Sequence, residues 1–141
     1  MDFRISNSSL SVRTHGDTDV IDITGQVSKK ISESGLTEGQ ILLFVPGSTA
    51  SITTIEYESG VVQDLKDAIE RIVPKSIFYR HDARWGDGNG YAHVRAALLG
   101  PSLSVPLIRG RLALGTWQQI VLIDFDNRPR ERKVLVHLAG I

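Results

Sequence analysis

The chain has 141 residues, with 16 basic and 16 acidic side chains and no cysteine. This length is close to the commonest domain size, so we expect a single domain over residues 1–141. The lack of cysteine excludes disulfides, thiolate metal sites and cysteine nucleophiles, and it favours a cytoplasmic location. A formal net charge of zero gives no overall field for nucleic acid or anionic lipid, and no apolar run is long enough to cross a bilayer, so neither partner is expected.

The N-terminal half alternates strand-forming segments with two helical patterns. Residues 26–35 have one apolar face and end at a glycine, which predicts a short helix. Residues 60–73 carry the clearest helical repeat, with Ser59 as the expected N-cap and Pro74 after the last turn. Runs of apolar and β-branched residues predict strands at residues 3–14, 20–23, 41–45 and 50–58.

The C-terminal half begins with a glycine-rich, charged segment, residues 80–91, which predicts a loop. Residues 92–99 then predict a short helix, because Gly100 and Pro101 follow it directly. Further strands are predicted at residues 103–108, 111–114, 117–125 and 133–138. The pattern predicts an α+β domain in which two or three helices flank a mixed or antiparallel sheet.

Two histidines flank the predicted loop. His81 and His93 enclose HDARWGDGNGYAH, which also contains Asp82, Asp87 and Asn89. Imidazole can bind a metal or transfer a proton near neutral pH, and a carboxylate can orient a ring nitrogen or join the metal ligands. The segment matches neither a dinucleotide-binding fingerprint nor a complete calcium loop. An ordinary solvated loop is the alternative interpretation.

A second candidate lies in PGSTASITTIE, residues 46–56. It carries the hydroxyls of Ser48 and Thr49 and the carboxylate of Glu56, and an even spacing predicts that Ser48 and Glu56 share one face of a strand. The alternative is a threonine-rich strand with solvated hydroxyls. The remaining histidines, His15 and His137, are interpreted as surface or structural residues.

Two further stretches have more than one interpretation. In GRLALGTWQQI, a glycine close to Trp117 indicates either a bend where a ligand approaches or a Trp in a core or interface. The basic run at residues 128–133 could bind an anion through bidentate arginine contacts. The alternative is a solvated hairpin tip.

These motifs together resemble the YjbQ family. The C-terminal match is HDARWGDGNGYAHVRAALLGPSLSVPLIRGRLALGTWQQIVLIDFDNRPRERKVLVHLAG, and STASITTIEYESGVVQDLKDAIERIVP resembles the middle of the family's sequences. The resemblance implies a small cytoplasmic α+β protein that tends to form trimers. It also implies the activity of a secondary thiamine-phosphate synthase, which joins a pyrimidine diphosphate to a thiazole phosphate and releases pyrophosphate.

The family's site motifs match this sequence only in part. Its HD pair matches His81 and Asp82, its AH block matches Asn89 to His93, and the carboxylate after its Thr/Ser strand matches Glu56. Its GTWQ motif matches residues 115–118. The family site resembles a three-histidine cluster that holds a metal or phosphate, but many members have a histidine where this chain has Gly47. The corresponding cluster in this chain would therefore have two imidazoles, those of His81 and His93.

We predict a transferase like the thiamine-phosphate synthases, active as a homotrimer on a small phosphorylated metabolite, with divalent Zn or Mg as the candidate cofactor. The resemblance and the residue chemistry predict the catalytic residues His81, Asp82, His93 and Glu56 and the metal ligands His81 and His93. The predicted substrate-binding residues are Ser48, Thr49, Asp87, Asn89, Thr116, Gln118 and Arg130. The competing hypothesis, which Gly47 favours, is a non-catalytic protein that binds a small anionic metabolite or a metal. Either function predicts that His81 and His93 converge on one ligand.

Overall fold

Two antiparallel sheets organise the computed structural model, which describes residues 2–141. The strands are β1 (Arg4–Thr14), β2 (Asp19–Asp22), β3 (Gly39–Phe44), β4 (Ala50–Ile55), β5 (Ser102–Ile108), β6 (Arg111–Leu112), β7 (Gln119–Asp124) and β8 (Arg130–Gly140). The larger sheet has the order β1-β8-β3-β5-β6, and the smaller sheet has the order β2-β7-β4. The expectation of an α+β fold is confirmed.

Four helices are present among the described residues, where the sequence predicted two or three. They are α1 (Thr24–Ser34), α2 (Ser59–Ile72), α3 (Arg80–Trp85) and α4 (Gly90–Leu99). None of the four is long and apolar enough to span a membrane. The cap of α2 differs from the prediction, because Glu58 and not Ser59 accepts the N–H groups of Gly60 and Val61. These backbone hydrogen bonds also lower the pKa of Glu58.

The two sheets share one core, and the smaller sheet has a second core on its other face. Ile120 and Leu122 of β7 face the main core together with α1 and the larger sheet. Val121 and Ile123 face the opposite way and pack against α2 and α4. Because both faces of β7 are buried, its sequence is a continuous apolar run without alternation. The shared core makes the chain a single domain.

Three of the predicted elements differ most clearly from the structure. The segment predicted as a loop contains α3, which buries none of its side chains and therefore has no apolar repeat to reveal it. The strand predicted from residue 117 begins at Gln119, and Trp117 lies in the preceding turn with 73 % of its surface exposed. The strand predicted at 111–114 is only the two-residue β6.

We expect Asp67→Pro to unfold the protein. Asp67 lies in the interior of α2 on its exposed side, where proline removes a backbone hydrogen bond and clashes with the preceding turn. The cost is about 3 kcal/mol or more, a large share of a typical stability of about 5–15 kcal/mol. Thermal unfolding followed by circular dichroism measures the effect. Asp67→Ala is the matched control and should melt close to the unaltered chain; equal melting temperatures for the two variants would contradict the expectation.

Candidate functional site

A polar cleft of about 400 Å³ opens at one end of the smaller sheet. The register explains its position, because Ala50 at the start of β4 pairs with Asp124 at the end of β7. The loop before β4 and the turn after β7 therefore meet at the same edge. The segment between α3 and α4 covers the third side. The lining residues are Gly47, Ser48, Thr49, His81, Trp85, Asp87, Asn89, His93, Asp126, Arg130 and Arg132.

The rings of His81 and His93 lie in contact in this cleft, with centroids 4.4 Å apart and planes tilted by 42°. His81 lies on α3 and His93 lies on α4. The two helices approach closely because Gly90 has no side chain: a Cβ there would lie 2.7 Å from the Cβ of Tyr79. The backbone N–H of Gly90 also donates to Asp82 Oδ1 at 2.8 Å. The predicted convergence of the two histidines is confirmed.

Two carboxylates approach the same nitrogen of His81. Its Nδ1 lies 3.4 Å from Asp82 Oδ1 and 3.3 Å from Asp87 Oδ1. Each of the three side chains offers a ligand atom, and these atoms all lie within 4.8 Å of one another. His93 is outside this set and contacts the ring of His81. These three side chains could therefore hold a metal ion, and the pair of His81 and His93 as metal ligands stays a prediction.

Below the cleft, Asp124 is fully buried and ion-paired with Arg132. The Arg132 Nε and Nη2 atoms donate to its two oxygens at 2.7 and 2.9 Å, and the Thr14 hydroxyl donates at 2.6 Å. Burial raises the pKa of Asp124, but the hydrogen bonds from Arg132 and Thr14 outweigh burial. The pKa of this carboxyl therefore lies below its ordinary value.

Asp126 forms the matching pair with Arg130. The Arg130 Nε and Nη2 atoms donate to Asp126 Oδ2 at 3.0 and 2.7 Å, and the Thr49 hydroxyl donates to the same oxygen at 3.0 Å. Burial raises the pKa of Asp126, but hydrogen bonds from the backbone N–H of Asn127 and from the neighbouring side chains outweigh burial. The pKa of this carboxyl therefore also lies below its ordinary value. The threonine predicted to bind substrate thus supports a buried carboxylate.

Asn89 joins this network to the cleft. It is the residue before the first turn of α4 and is only 7 % exposed. Its Nδ2 donates to Asp126 Oδ1 at 3.3 Å, which orients the amide. Its Oδ1 is buried and has no hydrogen-bond partner among the described residues. A buried acceptor without a partner costs about 1–3 kcal/mol, so this oxygen fits a missing donor or cation in the cleft wall.

Gly47 and Arg132 meet at the opposite wall. Gly47 has a φ of +120°, in the region that favours glycine, and a Cβ at this position would lie 3.2 Å from Arg132 Nη1. A histidine with this backbone would be strained and would press on the guanidinium. Gly47 thus leaves the Arg132 guanidinium uncovered on this side of the cleft.

Three predicted site residues lie at the far end of the smaller sheet. Glu56 directly follows β4, about 20 Å of strand away from Thr49 at ordinary strand rise. Thr116 and Gln118 lie in the turn before β7, where Gln118 donates to the Thr54 hydroxyl at 3.2 Å. Within a single copy of the chain, Glu56, Thr116 and Gln118 therefore do not reach the cleft. Ser48 and Glu56 do not share a strand face either, because β4 covers only Ala50–Ile55.

Two aspartates of the site, Asp124 and Asp126, were missed by the sequence prediction, and Arg132 was named only within the basic run at residues 128–133. The signal was present in two places. IVLIDFD has carboxylates two residues apart inside an apolar run, and RER has arginines at the same spacing. Side chains two residues apart in an extended segment share one face, but β7 and β8 lie in different sheets, so the sequence did not indicate that these two pairs meet. The other histidines lie outside the cleft, where His15 contacts Asp19 and His137 contacts Asn7.

Comparison with known proteins identifies close relatives of the same length. A family model described as UPF0047 protein YjbQ-like matches residues 8–141. A UPF0047 protein of Archaeoglobus fulgidus is 39% identical over 127 residues, which cover 90% of this chain and 96% of that one. YugU of Bacillus subtilis is 34% identical over 134 residues, covering 94% of this chain and 98% of the relative.

Solved structures agree with the sequence comparison. The chain is similar to a crystal structure of a YbjQ-like protein of unknown function from Sulfolobus solfataricus, with a TM-score of 0.93 and 32% identity over 99% of this chain and 100% of that one. A YjbQ/UPF0047 family protein from Clostridium acetobutylicum has a TM-score of 0.85 and 36% identity, covering 93% of this chain and 98% of its own.

We expect Asp126→Asn to destabilise the chain at neutral pH and to matter less in acid. Breaking a buried ion pair costs about 3–5 kcal/mol. Because the pKa of Asp126 is lowered in the folded state, its contribution is complete above the unfolded pKa of about 4 and is lost as pH falls below it. Urea unfolding at several pH values between 7 and 2.5 measures the difference between the two chains. A difference that stays constant over this range would contradict the assignment.

Proposed function

The chain belongs to the YjbQ-like UPF0047 family, and we propose that it is an enzyme acting on small phosphorylated metabolites in the cleft around His81 and His93. The observation that carries this proposal is the convergence of two imidazoles, two carboxylates and two anchored arginines on one cleft. Such a mixture suits a reaction in which a charged phosphate group departs, because it offers proton transfer and charge stabilisation together.

A divalent cation fits the donor set of His81, Asp82 and Asp87. One imidazole nitrogen and two carboxylate oxygens suit Zn²⁺ better than Mg²⁺, because Mg²⁺ prefers oxygen ligands alone. The buried Oδ1 of Asn89, which lacks a partner in the described chain, lies in the wall of the same cleft. When bound, such a cation would supply stabilisation of negative charge on a departing phosphate.

Proton exchange, positioning of the helices and substrate binding would be carried out by residues of the chain itself. His93 contacts the ring of His81 without joining the carboxylates, so it is free to exchange a proton with the substrate. Asp82 holds both Nδ1 of His81 and the backbone of Gly90, and it therefore fixes α3 against α4. Arg130 and the exposed hydroxyl of Ser48 face the space where a phosphorylated metabolite would bind.

The specific reaction that we propose is that of a secondary thiamine-phosphate synthase. A pyrimidine diphosphate and a thiazole phosphate would be joined, and pyrophosphate would leave. The support is the family membership together with a cleft that can stabilise a phosphate leaving group. Binding of a small anionic metabolite or a metal without turnover is the second candidate function, and the absence of a side chain at Gly47 favours it.

We expect the purified chain to form thiamine phosphate and pyrophosphate from the two precursors when Zn²⁺ or Mg²⁺ is present. His93→Ala should abolish product formation while the melting temperature stays close to that of the unaltered chain, because alanine is well tolerated in a helix. His15→Ala is the matched control, since the side chain of His15 is 93% exposed, contacts Asp19 and does not line the cleft. Thiochrome fluorescence and a coupled pyrophosphatase assay measure the two products. Binding of the precursors without either product would favour the second function.

We also propose that the protein is a homotrimer. The outer face of the larger sheet carries an apolar groove, and no described residue of this chain covers it. Leu42, Phe44 and Leu135 line this groove, and each remains 39–40% exposed. Exposed apolar patches of this kind commonly mark contacts between copies in closed assemblies.

Light scattering at micromolar concentration should give three times the 15.5 kDa mass of one chain. Leu135→Lys should reduce this mass, because it would introduce a charge into each apolar contact. Ile72→Lys is the control, since Ile72 is 71% exposed on α2, away from the groove. A monomer mass for the unaltered chain would overturn the trimer.

A further inference from the structure

We infer that Arg130 and Arg132 form a subsite for a phosphate group, and that its occupancy depends on a divalent cation at His81, Asp82 and Asp87. The inference rests on the proposed function for the class of ligand, a phosphate ester or diphosphate. It adds Arg132 as a ligand-binding residue, and it adds an energetic coupling between two halves of the cleft.

Each guanidinium has one free edge. Arg132 donates through Nε and Nη2 to Asp124, and Nη2 also donates to Thr49 at 2.7 Å. Arg130 donates through Nε and Nη2 to Asp126. Within residues 2–141, neither Nη1 makes a hydrogen bond. Both side chains line the cleft, so two immobilised N–H donors remain for an oxyanion.

Gly47 leaves space for this oxyanion. A Cβ at residue 47 would lie 3.2 Å from Arg132 Nη1, so any side chain there would cover the free edge of the guanidinium. Gly47, Ser48 and the two arginines line the same cleft, and the Ser48 side chain is exposed. The glycine thus fits a phosphate that lies against Arg132.

The charges around the cleft oppose binding of a free anion. Asp124 and Asp126 already neutralise the two arginines, since both carboxylates have pKa values below the ordinary range. Asp82 and Asp87 remain, and among the described residues their contacts with a basic side chain are with His81 alone. Charges in one cleft of this size lie within a Debye length of about 8–10 Å, so the two carboxylates repel an incoming phosphate.

A bound cation would remove this repulsion and would itself attract the phosphate. The two ligands should therefore bind cooperatively, and each should raise the affinity of the other by the same factor. The buried Oδ1 of Asn89 is an independent indication of a ligand here, because it lacks a partner in the described chain and Asn89 lines the cleft.

The test uses inorganic phosphate and Mn²⁺ as probes on the whole chain, without any measurement of turnover. Calorimetry should give a phosphate affinity at least about fivefold higher with saturating Mn²⁺ than with chelator, the lower end of ordinary coupling between sites. Electron paramagnetic resonance should show the same factor for Mn²⁺ affinity with and without phosphate. Equal phosphate affinity with and without Mn²⁺ would overturn the inference.

Removing a negative charge from the cleft and removing a positive charge from it should have opposite effects on phosphate binding. Asp87→Asn should weaken Mn²⁺ binding but strengthen phosphate binding in chelator, because it removes one repelling charge. Arg130→Gln and Gly47→Ala should reduce the coupling while Mn²⁺ alone still binds. Gly47→Ala removes neither partner of the two ion pairs and therefore complements the arginine variant, and the melting temperature of each variant shows whether it folds. Arg128→Gln, at an exposed position of the turn between β7 and β8, is the control and should behave as the unaltered chain does.

The outcomes separate this inference from the proposed function. Coupling that depends on Arg130 and Gly47, without any turnover, supports the subsite and counts against the transferase. Turnover without coupling counts against the subsite alone. Identical phosphate binding by the Arg130→Gln, Gly47→Ala and Arg128→Gln variants would overturn the subsite, whatever the activity of the chain.

Discussion

Two carboxylates buried at the end of β7 constrain the whole molecule. Asp124 and Asp126 have no more than 1% of their side chains exposed, and a buried charge without partners is strongly unfavourable. Their partners come from separate parts of the chain: Thr14 from β1, Thr49 from the loop before β4, and the arginines of β8. Satisfying the two carboxylates therefore fixes both sheets relative to one another at this edge.

The same constraint produces the geometry of the cleft. Asn89 donates to Asp126, and α4 begins directly after Asn89, so the helix that carries His93 is anchored to the buried network. Asp82 then fixes α3, which carries His81, by accepting the N–H of Gly90. Side chains held in this way lose little conformational entropy when a ligand binds. Stability and preorganisation of the candidate site thus depend on the same hydrogen bonds.

Some of this arrangement could be predicted from the sequence, and the reasons for the rest are physical. The helix α2 has a strong apolar repeat, and the glycines between His81 and His93 allow the chain to fold back, so both features were predictable. The helix α3 buries nothing and therefore has no repeat. The role of Arg132 depends on which strand face meets Asp124, and that is decided by long-range register. Strand spacing and resemblance both assigned Glu56 to the site, and the glycine close to Trp117 and the resemblance assigned Gln118, but a single chain keeps these two residues at the other end of β4.

The charge distribution bears on the choice between an enzyme and a simple anion-binding protein. A site that evolved only to hold an anion would be expected to have a surplus of positive charge. Here the buried aspartates cancel the two arginines, while Asp82 and Asp87 add negative charge beside His81. Such a cleft attracts a cation first and an anion second. A cation next to a phosphate would stabilise a departing phosphate group, so we interpret these charges as support for the proposed transfer chemistry over binding of an anion alone.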